Sequence, residues 1–157
     1  MSKASYTTTL DSLNDLKDYV GKEIGISDWI TVTQEMINTF GTTTMDEQWI
    51  HMDVEKAKAK SPYGATIAHG FLVMSLLVPM SYQVLKLGDV KMGVNYGLNK
   101  LRFINATKAG ARIRGVATLK EIEYSDKGAK YITSWQVEIE GEEKPALIAE
   151  WIGVAYN

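Results

Sequence analysis

The sequence predicts an α+β domain in which an antiparallel sheet wraps around one long buried helix. Three observations carry this expectation. Phe71 to Leu87 is apolar on nearly every side of a helical wheel, and a helix that is apolar all round is buried. Four strand-like stretches follow it, with polar or glycine-containing breaks at 105–110, 125–128 and 141–145. In the third stretch Tyr131, Thr133, Trp135, Val137 and Ile139 alternate with Ile132, Ser134, Gln136, Glu138 and Glu140. That period of two reads as an antiparallel meander with one wet face. A sheet curled around the helix buries it on most sides.

The elements follow in order. Leu10, Leu13, Leu16 and Val20 have helical spacing, with Asp11 or Ser12 as a cap and Gly21 as a stop. Trp29 to Val32 is a short β-rich run. Thr33 caps a helix carrying Met36, Ile37 and Phe40. Gly41 stops that helix, and Thr42 to Thr44 resist its continuation. Asp53 caps a short Lys- and Ala-rich helix through Lys58, and 61–64 (S-P-Y-G) turns the chain. Pro79 should kink the buried helix, because it lacks an N–H and crowds the preceding turn. The strands fall near 93–104, 111–124, 130–140 and 146–156.

Bulk composition bounds the function. The 157 residues fit one domain, 1–157, long enough to bury a core without disulfides. With 17 basic and 19 acidic residues the net charge is -2, which gives no global pull towards nucleic acid or anionic membranes. Zero cysteines remove thiol nucleophiles, thiolate metal sites and disulfides together. The start lacks a basic stretch followed by an apolar run, and 71–80 is too short to span a bilayer. The expectation is a soluble, cytoplasmic, unprocessed protein.

The chemistry concentrates in one place. Both histidines, His51 and His69, lie within a 19-residue window, close to Asp46 and Gly70. Asp46 and His51, five positions apart, point in different directions on a regular helix, so an irregular segment must bring them together. A carboxylate and an imidazole facing one volume can share acid–base work at neutral pH. The plain alternative makes Asp46 a capping residue and His51 a surface residue. Gly70 opens a helix whose first N–H groups lack intrahelical acceptors, and its missing side chain lets a carbonyl oxygen approach. The plain alternative there is a close-packing point between helix and sheet. Asp46 or Asp53 with the two histidines could also ligate zinc, but the spacing matches no compact metal motif. No metal site is expected.

The runs M-D-E-Q-W-I-H at 45–51 and S-P-Y-G-A-T-I-A-H-G-F at 61–71, taken together, resemble the MaoC-like dehydratases, the family of R-specific enoyl-CoA hydratases. Within that family the nodulation-protein-N-type branch is the most similar. The resemblance covers Trp29 to the C-terminus. It implies a hot-dog fold, a homodimer, and interconversion of trans-2-enoyl and (R)-3-hydroxyacyl thioesters on coenzyme A or an acyl carrier, with no cofactor. It places the catalytic aspartate and histidine on Asp46 and His51 and the oxyanion-binding amide on Gly70. It also implies a serine on the buried helix, for which Ser75 is the nearest candidate. The substrate-binding set is then Trp49, His69, Phe71 and Ser75, with Trp29, Phe40 and Tyr63 as further pocket aromatics. Gln48-Trp49 replaces the asparagine-proline that R-specific hydratases commonly carry in the loop. Trp49 either narrows the acyl tunnel or packs under the loop. Phosphate-binding candidates are Lys56, Lys58 and Lys60, or Lys100 with Arg102, or Arg112 with Arg114; each is equally a solvated charged face. Two rival functions share the fold: a thioesterase, and a non-catalytic thioester-binding protein.

Overall fold

A computed structural model describes residues 3–157 of the chain. Strands β1 (Tyr6–Leu10) and β2 (Glu23–Ile26) flank a 3-10 helix at Leu13–Tyr19, and β3 (Ile30–Thr31) leads into α1 (Gln34–Thr44). Helices α2 (Trp49–Met52), α3 (Val54–Lys60), α4 (Gly70–Ser75) and α5 (Leu77–Val84) follow. Strands β4 (Leu85–Leu87), β5 (Met92–Phe103), β6 (Arg112–Ser125), β7 (Gly128–Ile139) and β8 (Leu147–Tyr156) complete the chain. The sheet order is β4-β1-β2-β6-β7-β8-β5, with β3 also on β6. All pairs are antiparallel except β1 with β4.

The local signals explain most elements. Ser12 caps the 3-10 helix by accepting from the Asn14 N–H. Thr33 Oγ1 accepts from the Met36 N–H at 3.2 Å, and Asp53 accepts from the Lys56 N–H at 2.9 Å. Thr133, Trp135, Val137 and Ile139 are buried, as the period of two requires. Strands β1, β2 and β4 have no signal that the sequence reading caught. They are three to five residues long, too short to display a period.

Several expectations are corrected. Gly41 does not stop α1, which runs on to Thr44. A Cβ at Gly41 would stand 2.7 Å from Met52 Sδ and 3.0 Å from the Asp46 carbonyl oxygen, so this glycine is a point of close packing. The long helix is divided into α4 and α5 at Leu76. Pro79 cannot donate to the Ser75 carbonyl and its ring crowds that same group, so the interruption falls one turn upstream of the proline.

The divided helix lies on the sheet, with Leu72, Val73, Leu77, Met80 and Val84 in the core. Gly25 and Gly115 permit the approach: a Cβ on Gly25 would meet Val84 at 2.6 Å, and one on Gly115 would meet Met80 Sδ at 2.9 Å. The helix is not buried all round. Phe71 is 62% exposed, and Ser75 also faces outward. The exposed flank of α4 and α5 continues onto β5, a sheet edge exposed at nearly every position.

Candidate active site

A sharp turn separates α1 from α2. Met45 ends α1 with φ 61° and ψ 24°, the one positive φ outside glycine among the described residues. Asp46 follows on the surface, and α2 then carries His51 into the interior at 8% exposure. The irregular segment demanded by the five-residue spacing is therefore present. Donor atoms of Asp46, His51 and His69 lie within 4.8 Å of one another. Asp46 forms no ion pair with either ring, which leaves a gap that one water can bridge.

The state of His51 is set by its partners. Its Nδ1 lies 2.6 Å from the Ile67 carbonyl oxygen. A carbonyl only accepts, so Nδ1 carries the hydrogen and Nε2 of the neutral ring offers a lone pair. Burial, the largest influence, pushes the His51 pKa below the ordinary 6.5, and the adjacent His69 adds to this. The Ile67 carbonyl and Asp46 act in the opposite direction without reversing it. His51 is thus neutral at pH 7. Its own backbone carbonyl accepts from Gln34 Nε2 at 2.7 Å, and Gln34 Oε1 accepts from the Thr66 hydroxyl.

His69 caps α4 without a side-chain bond to that helix. Its Nε2–H donates to the Asp46 carbonyl at 2.9 Å. The ring stacks on His51 at 3.9 Å between centroids, and Phe40 packs on it at 5.0 Å. Gly70 starts α4, where backbone N–H groups are unclaimed by the helix. A cavity of about 250 Å³ is lined by His51, Gly70, Tyr63, Phe103, Asn105 and Thr107. A Cβ at Gly70 would lie 2.8 Å from the Phe103 ring, so the start of α4 and this ring pack closely at the glycine.

The three groups have the composition of a metal site. One nitrogen of each ring is already engaged by a main-chain carbonyl, His51 Nδ1 by Ile67 and His69 Nε2 by Asp46.

Other expected residues are placed as follows. Phe71 stands outside the cavity wall, edge-to-face with Phe103 at 6.0 Å. Ser75 donates to the Phe71 carbonyl at 2.7 Å and lines a separate cavity of about 280 Å³ between the helix and β5. Trp49 is half-buried under Lys56, whose Nζ sits 4.9 Å from the ring centroid. Trp29 lies away from the dyad, lining another cavity with Arg114 and Glu138 and stacking on Arg112 and Arg114. Arg112 and Arg114 are paired with Glu140 and Glu138 at 3.0 and 2.7 Å. Lys100 and Arg102 are exposed on β5. Sequence reasoning missed Gln34, Thr66, Thr107 and the Ile67 carbonyl. A supporting amide 17 residues upstream and a main-chain oxygen leave no side-chain pattern near the dyad.

A family model described as a MaoC-like domain matches residues 15–140. The chain is 44% identical over 145 residues to 3-hydroxyacyl-thioester dehydratase Z of Mycobacterium tuberculosis, covering 92% of this chain and 95% of the relative. It is 44% identical over 147 residues to nodulation protein N of Rhizobium leguminosarum bv. viciae, covering 91% and 90%. Among solved structures, an Archaeoglobus monoamine oxidase regulatory protein superposes with a TM-score of 0.78 at 25% identity, covering 97% and 98%. The unliganded R-hydratase PhaJ1 of Pseudomonas aeruginosa superposes with a TM-score of 0.72 at 20% identity, covering 88% and 82%. The second likeness carries the fold alone.

Proposed function

The chain belongs to the MaoC-like dehydratase family, and from that premise we propose that Asp46, His51 and Gly70 carry out its hydratase/dehydratase chemistry on trans-2-enoyl and (R)-3-hydroxyacyl thioesters. The observation that supports this reading is the state of His51. It is neutral, locked with Nε2 free, and shares a small cavity with Gly70 beside Asp46.

In the hydration direction, Asp46 and His51 Nε2 hold a water in the gap between them. The Asp46 carboxylate takes one proton as the water oxygen bonds to the β-carbon. The π electrons move through the α-carbon onto the thioester oxygen, where the Gly70 N–H stabilises the charge. The α-carbon then receives the proton that the dyad has gained. Dehydration reverses each step. Every proton removed is returned and no oxidation state changes overall, so the steps need no cofactor. The acyl group arrives on coenzyme A or on an acyl carrier, and we place the reaction in the cytoplasm on that substrate class.

Loss of absorbance of the conjugated crotonyl-CoA thioester tests the reading. The native protein should bleach the band, and Asp46→Asn or His51→Ala should slow it by roughly 100- to 10,000-fold while staying folded. Near-native turnover by either folded variant would sink the dyad. Release of free thiol without loss of the enoyl band would transfer the protein to the thioesterases.

We also infer a homodimer. β5 is a twelve-residue sheet edge, and Met92, Val94, Tyr96, Leu98 and Phe103 are exposed along it. Tyr96, at 68% exposure, and Phe71, on the neighbouring helix, are exposed aromatics as well. A long unpaired apolar edge is a template for another chain, and a patch of this kind is rare on a monomer. Light scattering should give twice the chain mass. A monomer mass independent of concentration would remove the inference.

A further inference from the structure

His69 has both of its ring nitrogens committed inside the protein. Nε2 carries the hydrogen that it donates to the Asp46 carbonyl, because that partner only accepts. Nδ1 is sealed from solvent and has no hydrogen-bond partner among the described residues. The residue is 3% exposed and packed against Phe40 and the His51 ring. Neither nitrogen is available to a ligand. A buried imidazole with an unpaired nitrogen is costly to keep, and what it does in return is visible at its other end.

Asp46 needs such a support. It has surface exposure and follows the left-handed Met45, and its carboxylate forms no ion pair among the described residues. Its carbonyl oxygen is nonetheless fixed between two elements: Gly41 of α1, where a Cβ would stand 3.0 Å away, and His69 at the head of α4. The same histidine ring forms one face of the His51 environment at 3.9 Å. One side chain, next in sequence to Gly70, thus touches both members of the dyad.

We propose that His69 is the positioning residue of the site, holding Asp46 by its backbone carbonyl at a fixed distance from His51 and Gly70, and that it makes no contact with substrate. This rests on the dyad reading above and assigns its geometry to one hydrogen bond. A displacement of about 1 Å in a catalytic group can cost on the order of 100-fold in rate.

Two substitutions separate the contacts. His69→Phe keeps an aromatic ring against His51 but leaves the Asp46 carbonyl without a donor. His69→Gln loses the stack but carries an amide N–H at about the reach of Nε2. With enoyl thioester, His69→Phe should lower kcat by roughly 10- to 100-fold with KM within about twofold, and His69→Gln should recover most of that loss. A merely structural role would lower the yield of folded protein and leave kcat per folded molecule intact. The proposal is overturned if KM rises at constant kcat, which would make His69 a substrate contact, or if His69→Gln is as impaired as His69→Phe.

A second measurement needs no substrate and so separates this proposal from the reading it rests on. Backbone amide relaxation should show new motion at Met45 to Glu47 in His69→Phe, absent in His69→Gln and in the native protein. Unchanged order at those residues in His69→Phe would overturn the positioning role even if the enzyme hydrates enoyl thioesters. If the native protein left crotonyl-CoA and its longer homologues untouched, the dyad reading would fall while the relaxation result still decided the hydrogen bond.

Discussion

Adding one methyl group at Gly70 tests the oxyanion role directly. In Gly70→Ala the new Cβ would meet three atoms of the Phe103 ring at 2.8–2.9 Å. Carbon atoms rest at about 3.5–4.0 Å, so the ring must retreat by most of an ångström. Phe103 is half-exposed and can turn. The methyl and the shifted ring then occupy part of a cavity of about 250 Å³ where the thioester oxygen approaches the amide. Stability should barely change. Alanine in place of glycine reduces the entropy of the unfolded chain by about 0.4–1 kcal/mol, which offsets a ring adjustment of similar size. Catalysis should change greatly: the N–H remains, but an amide that the thioester oxygen cannot reach is as good as lost, and losing one oxyanion donor costs roughly 100- to 1,000-fold in kcat. The assay is the initial rate of crotonyl-CoA hydration, beside a thermal melt. A kcat within threefold of native would refute the oxyanion assignment. The double variant Gly70→Ala with Phe103→Ala separates two causes. Recovery there would assign the obstruction to the displaced ring, and persistence of the loss would assign it to the methyl group.

Two further predictions concern the residues around the dyad. Burial holds the His51 pKa below 6.5, so the unfolded chain takes up its proton at higher pH than the folded one. The stability contribution is full above pH 6.5 and is lost as pH falls through the folded value. Melting temperature and kcat/KM should therefore both fall on the acid side of pH 6.5, and the His51→Gln melting curve should lose that part of the slope. Met45 is an exposed residue at φ 61°, where a side chain costs roughly 1–2 kcal/mol, against a glycine entropy cost of about 0.5–1 kcal/mol. Met45→Gly should raise the melting temperature by about 2–4 °C; a fall would show that the turn gains more from the side chain than it loses in strain.

Certain features were legible in the amino-acid order because their physics is local. Thr33 and Asp53 bond to N–H groups three residues on, and Trp135 and Val137 share a face because a strand has a period of two. The spacing of Asp46 and His51 dictated an irregular connection, and Gly70 marked the helix start. Tertiary packing decided what those residues do. The Ile67 carbonyl selects the His51 tautomer from 16 residues away, and the Asp46 carbonyl claims His69 from 23. Both acceptors are main-chain oxygens, which every residue possesses and no sequence pattern marks. Packing likewise turned Ser75 and Phe71 outward, because the sheet covers one flank of the helix and β5 leaves the other open. Pro79 announced a disturbance in the helix, but its place at Leu76 followed from which carbonyl the proline deprives. The sequence determined which groups could do chemistry, since that depends on side-chain type and short-range geometry. Only the folded chain determined their protonation and aim, since those depend on what the rest of the backbone places beside them.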